Sequence, residues 1–402
     1  MSLLKVLLIA PYISRSATGE AFVAFKWAEA LQDRVNLTVA AFQSPRHAPL
    51  HEQLPRAQVV TWPAPNFPGV PRRLLAMMKP EWPIFCRHVN RYLAGSAAEF
   101  DIAHQIMPQA MRYASPLRRH RLPYVIGPLG GALSNPPSFR SEMGGTPWFT
   151  RLRFMDDARL RFDPWLRSSY MRAELVLGVA PYVGKRLSNV PLKAYSDLLE
   201  LGIDALAPAT VKPCRPGEPV RLLHVGRGVR NKGLRDVIRA MGLLKDEVNL
   251  TLTCAGEGED IARCKEEAER LGVSDKVTFL GLLPRAEVEK LYAFADIFVF
   301  PSFREPAGNV LYEAMRWGLP VITAARGGPD SIVDDTTGIR IPVTDPERYA
   351  ADIASAIGLL AHDVSLRARM GAAARAKLER EGLWTSKADR LVQHYHCCLA
   401  RL

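Results

Sequence analysis

The sequence lacks several features that would place it in other classes of protein. No apolar run among its 402 residues approaches the ~18 residues of a membrane-spanning helix. Its six cysteines form no Cys-x-x-Cys pair and no framework spacing, which favours reduced thiols in the cytoplasm. No Asp-x-Asp motif occurs, so no metal clamp of that kind is indicated. With 48% hydrophobic and 23% charged residues, the composition is that of an ordinary globular protein long enough for two domains.

Short apolar strands alternate with amphipathic helices in both halves of the chain. Lys5 to Ala10 is predicted to be a buried strand that leads through a loop to a helix over 20–31. Residues 206–219 (LAPATVKPCRPGEP) hold four prolines and no periodicity, which indicates an interdomain linker. The pattern therefore predicts an α/β fold with two doubly wound, Rossmann-like domains, at 1–205 and 220–380.

The stretch 298–323 (FVFPSFREPAGNVLYEAMRWGLPVIT) combines a strand, a loop, a helix and the start of another strand. Glu305 lies in its loop and Glu313 in its helix. A helix start favours anions through unpaired N–H groups, which here belong to Gly308, Asn309 and Val310. Since carboxylates accept hydrogen bonds from adjacent hydroxyls, the pattern is typical of a nucleotide-sugar site. Judged by periodicity alone, both glutamates also fit an ordinary loop acid and a solvated helix residue.

Two cations, Arg227 and Lys232, lie five residues apart in the loop after the strand Val220 to Val225. A pair of cations at the edge of a sheet suits a diphosphate, because it neutralises the charge that builds on a departing phosphate group. As an isolated pattern this pair is weak, since Arg and Lys often occupy loops.

The stretch PSFREPAGNVLYEAMRWGLPVITAARGGPDSIV resembles the donor-binding segment of retaining GT-B glycosyltransferases of glycosyltransferase family 4 (glycosyl transferases group 1), which carry two glutamates at this spacing. The resemblance is strong over 221–343 and looser before it. It implies two Rossmann-like domains facing a central cleft, with a last helix over 381–402 that crosses back to the first domain. It also implies transfer of a hexosyl-type sugar from a nucleoside-diphosphate donor with retention of configuration.

The same resemblance assigns roles to individual residues. Arg227 and Lys232 correspond to the diphosphate ligands, Glu305 to the acid that holds the donor-sugar hydroxyls, and Glu313 to the acid that holds the ribose diol. His104, at the end of a predicted strand, corresponds to a histidine that faces the donor sugar. Gly19 marks a loop that passes close to the donor, although family members usually have paired glycines where this chain has Thr18-Gly19-Glu20. The expected catalytic residues are His104, Arg227, Lys232 and Glu305, with no metal ion and no cofactor besides the donor substrate.

Positive charge is concentrated in the first half of the chain. Residues 1–200 hold 25 Lys and Arg against 14 Asp and Glu, whereas residues 201–402 hold 28 against 27. Nucleic acid, an anionic membrane surface or an anionic acceptor would each explain this charge. The basic piece over 72–79 near Trp82 and the aromatic and basic run over 148–170 favour peripheral binding to the inner face of the cytoplasmic membrane, with a saccharide or lipid-linked saccharide as acceptor in cell-surface polysaccharide or glycolipid synthesis.

Three other functions compete with this interpretation. A GT-B nucleotide-sugar epimerase would share the donor site and need no acceptor. A dinucleotide-dependent oxidoreductase also uses Rossmann-like domains, but no Gly-x-Gly-x-x-Gly follows the first strand. A basic nucleic-acid-binding protein would explain the charge, yet no recognised binding module occurs, so no nucleic-acid partner is expected.

Overall fold

The computed structural model describes residues 3–69, 75, 78–144, 154–208 and 217–402. The chain forms two compact units. The first comprises residues 1–132, 148–201 and 384–402, and the second comprises residues 133–147 and 202–383. The α/β class with two doubly wound sheets is confirmed. Part of the predicted linker, 209–216, lies outside the described residues.

The first unit is built on a parallel sheet of seven strands. The strands are β1 (Lys5–Tyr12), β2 (Asn36–Gln43), β3 (Gln58–Pro63), β4 (Ile102–Gln105), β5 (Tyr124–Leu129), β6 (Leu175–Gly178) and β7 (Tyr195–Asp197). They lie in the order β3-β2-β1-β4-β5-β6-β7. The described α-helices of this unit, apart from the last helix of the chain, are α1 (Glu20–Leu31), α2 (Leu50–Gln53), α3 (Glu81–Ser96), α4 (Phe154–Phe162), α5 (Pro164–Met171) and α6 (Pro181–Arg186).

The second unit is built on a parallel sheet of six strands. They are β8 (Val220–Val225), β9 (Leu250–Ala255), β10 (Val277–Phe279), β11 (Ile297–Phe300), β12 (Val321–Ala324) and β13 (Gly338–Ile341), in the order β10-β9-β8-β11-β12-β13. The helices are α7 (Leu234–Leu244), α8 (Ile261–Leu271), α9 (Arg285–Phe294), α10 (Asn309–Arg316), α11 (Gly328–Ile332), α12 (Pro346–His362) and α13 (Val364–Glu381). The last helix, α14 (Trp384–Leu399), packs in the first unit.

The central strands are apolar on both faces because helices cover both sides of a parallel sheet. Residues 6–10 of β1 and all four residues of β11 are buried. Helix α1 packs Trp27 against Trp384 of α14, with ring centroids 5.4 Å apart. The Trp27 indole N–H donates to the carbonyl of Glu200 at 2.9 Å, so one aromatic side chain connects three separate segments of this core.

Both sheets reverse their strand order beside their first strand, between β1 and β4 and between β8 and β11. Loops that leave the carboxyl ends of these neighbouring strands diverge there, and open α/β sheets bind ligands at such switch points. In the second sheet Leu222 of β8 is paired with Ile297 of β11. This register brings the loop that holds Arg227 and Lys232 beside the loop that holds Glu305.

A segment that follows β5 packs into the core of the second unit. Phe139 is fully buried, with its ring centroid 4.3 Å from that of Phe303 and 5.8 Å from that of Tyr349. The sequence did not predict this insertion, because 133–147 falls inside the range 1–205 assigned to the first domain.

Candidate functional site

The loop after β8 is held against the loop after β11 by a glycine. Gly233 has φ +80°, and a Cβ atom there would lie 2.3 Å from the carbonyl oxygen of Pro301. Only glycine allows this close approach of two backbones. The short 3-10 turn Arg230–Lys232 ends at this contact, so its position relative to β11 is fixed.

Lys232 and Glu305 meet at the switch point of the second sheet. The Lys232 ammonium donates to the Glu305 carboxylate across 73 residues of sequence, and both side chains are largely buried. The ammonium also lies 5.4 Å from the centroid of the Phe300 ring. Glu305 accepts a long hydrogen bond of 3.4 Å from the N–H of Ala307 through its other oxygen. The structure therefore brings together two of the residues predicted for the donor site.

The backbone of Glu305 is fixed by the turn before α11. The N–H of Gly328 donates to the carbonyl of Glu305 at 3.0 Å. A Cβ atom on Gly328 would lie 2.0 Å from the carbonyl oxygen of Ala307, so the two loops pack backbone to backbone. These two backbone contacts fix the position of the loop that carries the Glu305 carboxylate.

Arg227 and the start of α10 lie at the same edge of the second sheet as Lys232 and Glu305. Arg227 is exposed, and within the described residues its guanidinium has no hydrogen-bond or ion-pair partner. Gly308 precedes α10 with φ +109°, and Asn309 and Val310 are the first residues of the helix. Their N–H groups have no intrahelical acceptor, since the first turn of a helix leaves its donors free. Three sources of positive potential therefore lie on neighbouring loops.

Glu313 lies one turn further along α10 and is partly buried. Its carboxylate accepts a hydrogen bond of 3.1 Å from the hydroxyl of Tyr292 in α9. Burial raises the pKa of Glu313 above its ordinary value, and the Tyr292 hydrogen bond offsets part of that shift. The sequence reasoning missed Tyr292, whose position in α9 gives no sign of a carboxylate partner.

A cavity of about 540 Å³ opens between the loops after β9 and β10. Its wall includes Gly256 to Gly258, Gly281 and the Phe279 ring, with the Lys265 ammonium 5.6 Å from the ring centroid. Strands β9 and β8 are neighbours, so the cavity lies along the same edge of the sheet as Lys232. An aromatic face beside a glycine-lined wall suits a planar base.

A buried ion-pair network supports the turn that carries Lys232. Arg230 is only 4% exposed, and its guanidinium donates to both carboxylate oxygens of Asp236, at 2.6 and 2.7 Å. It also donates twice to Glu142, at 2.8 and 2.5 Å. Burial alone would lower the pKa of Arg230, but Asp236 and Glu142 hold it above the ordinary value. The sequence reasoning missed this network, whose members span residues 142–236.

The prediction that His104 contacts the donor sugar is corrected by its surroundings. His104 in β4 is fully buried in the first unit. Its Nε2–H donates to the carbonyl of Gly127 at 2.6 Å, so Nδ1 is the acceptor for the Tyr395 hydroxyl, also at 2.6 Å. Burial lowers the pKa of His104 to about 4, which keeps the ring neutral. Both nitrogens are occupied within the core, and His104 is a structural residue.

Gly19 lies where the sequence predicted, in the loop after β1. Its φ of +65° is accessible mainly to glycine, and no atom lies within 4 Å of the position of a Cβ atom. It immediately precedes α1. The glycine is therefore required by backbone conformation, and its predicted approach to the donor stays a prediction.

Comparison with known proteins relates part of the second unit to a protein family. Residues 211–377 match the family model described as Glycosyl transferases group 1. The chain is 35% identical over 206 residues to a D-inositol 3-phosphate glycosyltransferase from Segniliparus rotundus, which covers 50% of this chain and 42% of that protein. It is 33% identical over 197 residues to a glycogen synthase from Mycobacterium tuberculosis, which covers 48% of this chain and 46% of that protein. The chain thus spans less than half the length of these curated relatives.

Solved structures match nearly the whole chain. The structure of Anabaena Alr3699/HepE in complex with UDP aligns with a TM-score of 0.65 at 19% identity and covers 99% of this chain and 100% of that one. Sucrose-phosphate synthase from Thermosynechococcus elongatus aligns with a TM-score of 0.65 at 20% identity and covers 99% of both chains. The fold is that of the GT-B glycosyltransferases, as the resemblance implied.

Proposed function

We propose that this chain, whose residues 211–377 match the family model of the glycosyl transferases group 1, is a retaining glycosyltransferase. It moves a hexosyl-type sugar from a nucleoside-diphosphate donor to a saccharide acceptor. The observation that supports this most is the contact between Lys232 and Glu305 at the switch point of the sheet. It places a cation suited to a diphosphate beside a carboxylate suited to sugar hydroxyls.

The reaction breaks the bond between the anomeric carbon and a diphosphate oxygen, so negative charge builds on the leaving group. Lys232, Arg227 and the N–H groups at the start of α10 stabilise that charge. The acceptor hydroxyl attacks the anomeric carbon on the face from which the diphosphate leaves, which retains the configuration. The proton of that hydroxyl passes to the departing phosphate. No metal ion is needed in this scheme, because the charges that would be supplied by a metal come from the chain.

In this scheme, donor binding changes the partner of Lys232. Its ammonium pairs with Glu305. The donor needs the ammonium for its diphosphate and the carboxylate for its sugar hydroxyls. Diphosphate oxygens that bind Lys232 release the Glu305 carboxylate, which then accepts hydrogen bonds from the sugar hydroxyls. The pair thus keeps two buried charges compensated until substrate replaces one member.

The test is a donor panel of UDP-, GDP-, ADP- and dTDP-sugars, assayed for nucleotide release with and without EDTA. We expect slow hydrolysis of one nucleotide class that survives EDTA and gives a sugar with its original anomeric configuration. Release restored only by magnesium or manganese would contradict the metal-free scheme. Conversion of one donor into its epimer without nucleotide release would identify an epimerase and overturn the proposal.

Replacing Glu313 by alanine is expected to weaken binding of the nucleoside diphosphate, whatever sugar it carries. A charged hydrogen-bond partner of the ribose diol is lost, which costs about 1.5–3 kcal/mol. Because the pKa of Glu313 is raised, its carboxylate is protonated at higher pH than an ordinary glutamate. Affinity in the unsubstituted protein should therefore begin to fall early on acidification, whereas that of Glu313→Ala should not. Calorimetric titration of the nucleoside diphosphate into both proteins, from pH 7 downwards, measures these affinities. Equal affinities of the variant and the unsubstituted protein at pH 7 would refute the role of Glu313.

The first unit is proposed to work at the inner face of the cytoplasmic membrane, on a membrane-borne or lipid-linked saccharide of cell-surface polysaccharide or glycolipid synthesis. It holds 27 Lys and Arg against 14 Asp and Glu, a balance of +13, whereas the second unit holds 26 against 27. Phe162 at the end of α4 is 71% exposed and adjoins Arg161. Each basic residue near an anionic surface contributes about 1 kcal/mol.

Two structural observations are relevant to this membrane proposal. Among the residues that the structure describes, no helix is both long enough and apolar enough to cross a bilayer. Most of the basic piece over 72–79, and residues 148–153 of the aromatic run, lie outside those residues. Sedimentation with phosphatidylglycerol vesicles at low and high salt decides it, and failure to bind at low salt would contradict it.

A further inference from the structure

A second groove, of about 540 Å³, lies in the first unit, between α3, the 3-10 turn Pro116–Arg119 and the helices α4 and α5. The turn belongs to the connection between β4 and β5, two neighbouring strands of the first sheet. No carboxylate is among the described residues that line it, whereas six of them are cations: Lys79, Arg87, Arg112, Arg118, Arg119 and Arg159.

Only half of this positive charge is compensated. Lys79 pairs with Glu20, Arg112 with Asp156 at 3.6 Å, and Arg159 with Asp163 at 2.8 Å. Over the described parts of the chain, the remaining three cations have no carboxylate partner; they are Arg87, Arg118 and Arg119.

The charges in the groove also repel one another. Arg118 and Arg119 are consecutive, and burial together with the neighbouring Arg119 charge lowers the pKa of Arg118. The Nε atom of Arg112 is buried without a hydrogen-bond acceptor. Such a set of cations costs free energy unless an anion binds between them.

The groove offers aromatic surface as well as charge. Trp165 at the start of α5 is 64% exposed, and the Arg118 guanidinium lies 5.8 Å from its ring centroid. Trp82 is buried beneath, with its indole N–H donating to the carbonyl of Ala114 at 3.1 Å. An exposed, rigid indole suits the C–H face of a sugar ring, and the guanidinium beside it suits an anion on that ring.

We propose that this groove binds an anionic group, phosphate or carboxylate, carried by the saccharide acceptor. The inference rests on the proposed glycosyltransferase function and narrows its acceptor to charged saccharides. Arginine favours this chemistry because its planar guanidinium binds two oxygens of a phosphate or carboxylate at once. The concave shape favours a group that enters the groove over a flat lipid surface.

The test compares glucose 6-phosphate, glucuronate and glucose as probes, titrated calorimetrically into the full chain at low salt. Both anionic sugars should bind more tightly than glucose. The double variant Arg118→Ala/Arg119→Ala should weaken the binding of both anions at least tenfold and leave nucleoside-diphosphate binding unchanged. The matched control, Arg56→Ala/Lys193→Ala, removes two exposed cations of the same unit that pair with carboxylates outside the groove.

Three outcomes would overturn the assignment. One is equal affinity for glucose and its phosphate, and another is the same loss in the control variant. The third is binding of phosphatidylglycerol vesicles, sensitive to the double variant, by a protein that ignores both anionic sugars. Failure of the proposed function is separate: a chain that binds the anionic sugars through Arg118 and Arg119 but neither binds nor hydrolyses any donor retains the anion site and refutes the transferase.

Discussion

Replacing Lys232 by alanine is expected to lower kcat about 100- to 1,000-fold, the usual effect of removing one preorganised donor from a developing negative charge. The leaving diphosphate carries more charge in the transition state than in the bound donor, so the loss in turnover should exceed the loss in affinity. Lys232 is well suited to this role because its ammonium is largely buried beside Phe300, where electrostatic interactions are strong.

The measurement is kcat together with the dissociation constant of the free nucleoside diphosphate. Lys290→Ala is the matched control, since it removes an exposed lysine from the same unit. Lys232→Arg keeps the charge and should retain part of the activity. Equal losses in turnover and in nucleotide affinity for Lys232→Ala would mean that the residue only binds the donor.

The substitution Asp236→Asn is expected to destabilise the second unit by about 3–5 kcal/mol, because it removes one of the two carboxylates that compensate the buried Arg230 charge. Arg230 and Asp236 are both buried and share two short hydrogen bonds. Arg230 also begins the turn that ends at Lys232, so the variant should lose turnover at temperatures where it remains folded. Urea unfolding followed by tryptophan fluorescence, with a parallel assay of donor hydrolysis, measures both effects.

Two further variants separate an unpaired charge from a general loss of packing. The double variant Arg230→Met/Asp236→Leu removes both charges and should cost less than Asp236→Asn alone, while Glu142 retains Arg239 as partner. Arg348→Ala breaks an exposed pair with Asp352 on α12 and should leave the unfolding midpoint unchanged. A double variant less stable than the single one would contradict this explanation.

The sequence predicted the second unit well because its signals are local. Each strand that positions the site is a short apolar run, and each loop has a glycine where the backbone requires one, as at Gly233 and Gly308. The meeting of Lys232 and Glu305 follows from strand order, since β8 and β11 are neighbours in the sheet. Family resemblance supplied the roles of these residues, which spacing alone did not.

The errors came from contacts between distant segments. His104 lies at the end of a strand, as predicted, but its ring is hydrogen-bonded to the Tyr395 hydroxyl. Tyr395 lies 291 residues further along the chain, and nothing near His104 in the sequence indicates that partner. Glu142 was assigned to the wrong domain for the same reason, since Arg230 lies 88 residues further on. The basic groove also depends on segments that are far apart in the chain, so the sequence reasoning did not find it.

The path of the chain between its two units fixes the order in which they can be completed on the ribosome. Every residue of the second unit, from the inserted Phe139 onward, has been synthesised once Leu383 is added. The first unit then still lacks α14, whose Trp384 contacts Trp27 and whose buried Lys387 donates to the carbonyl of Leu199 at 2.8 Å. Domains generally fold from the N-terminal end during synthesis. Here the first unit, although begun first, is finished last, and until then it exposes the apolar surface that α14 covers.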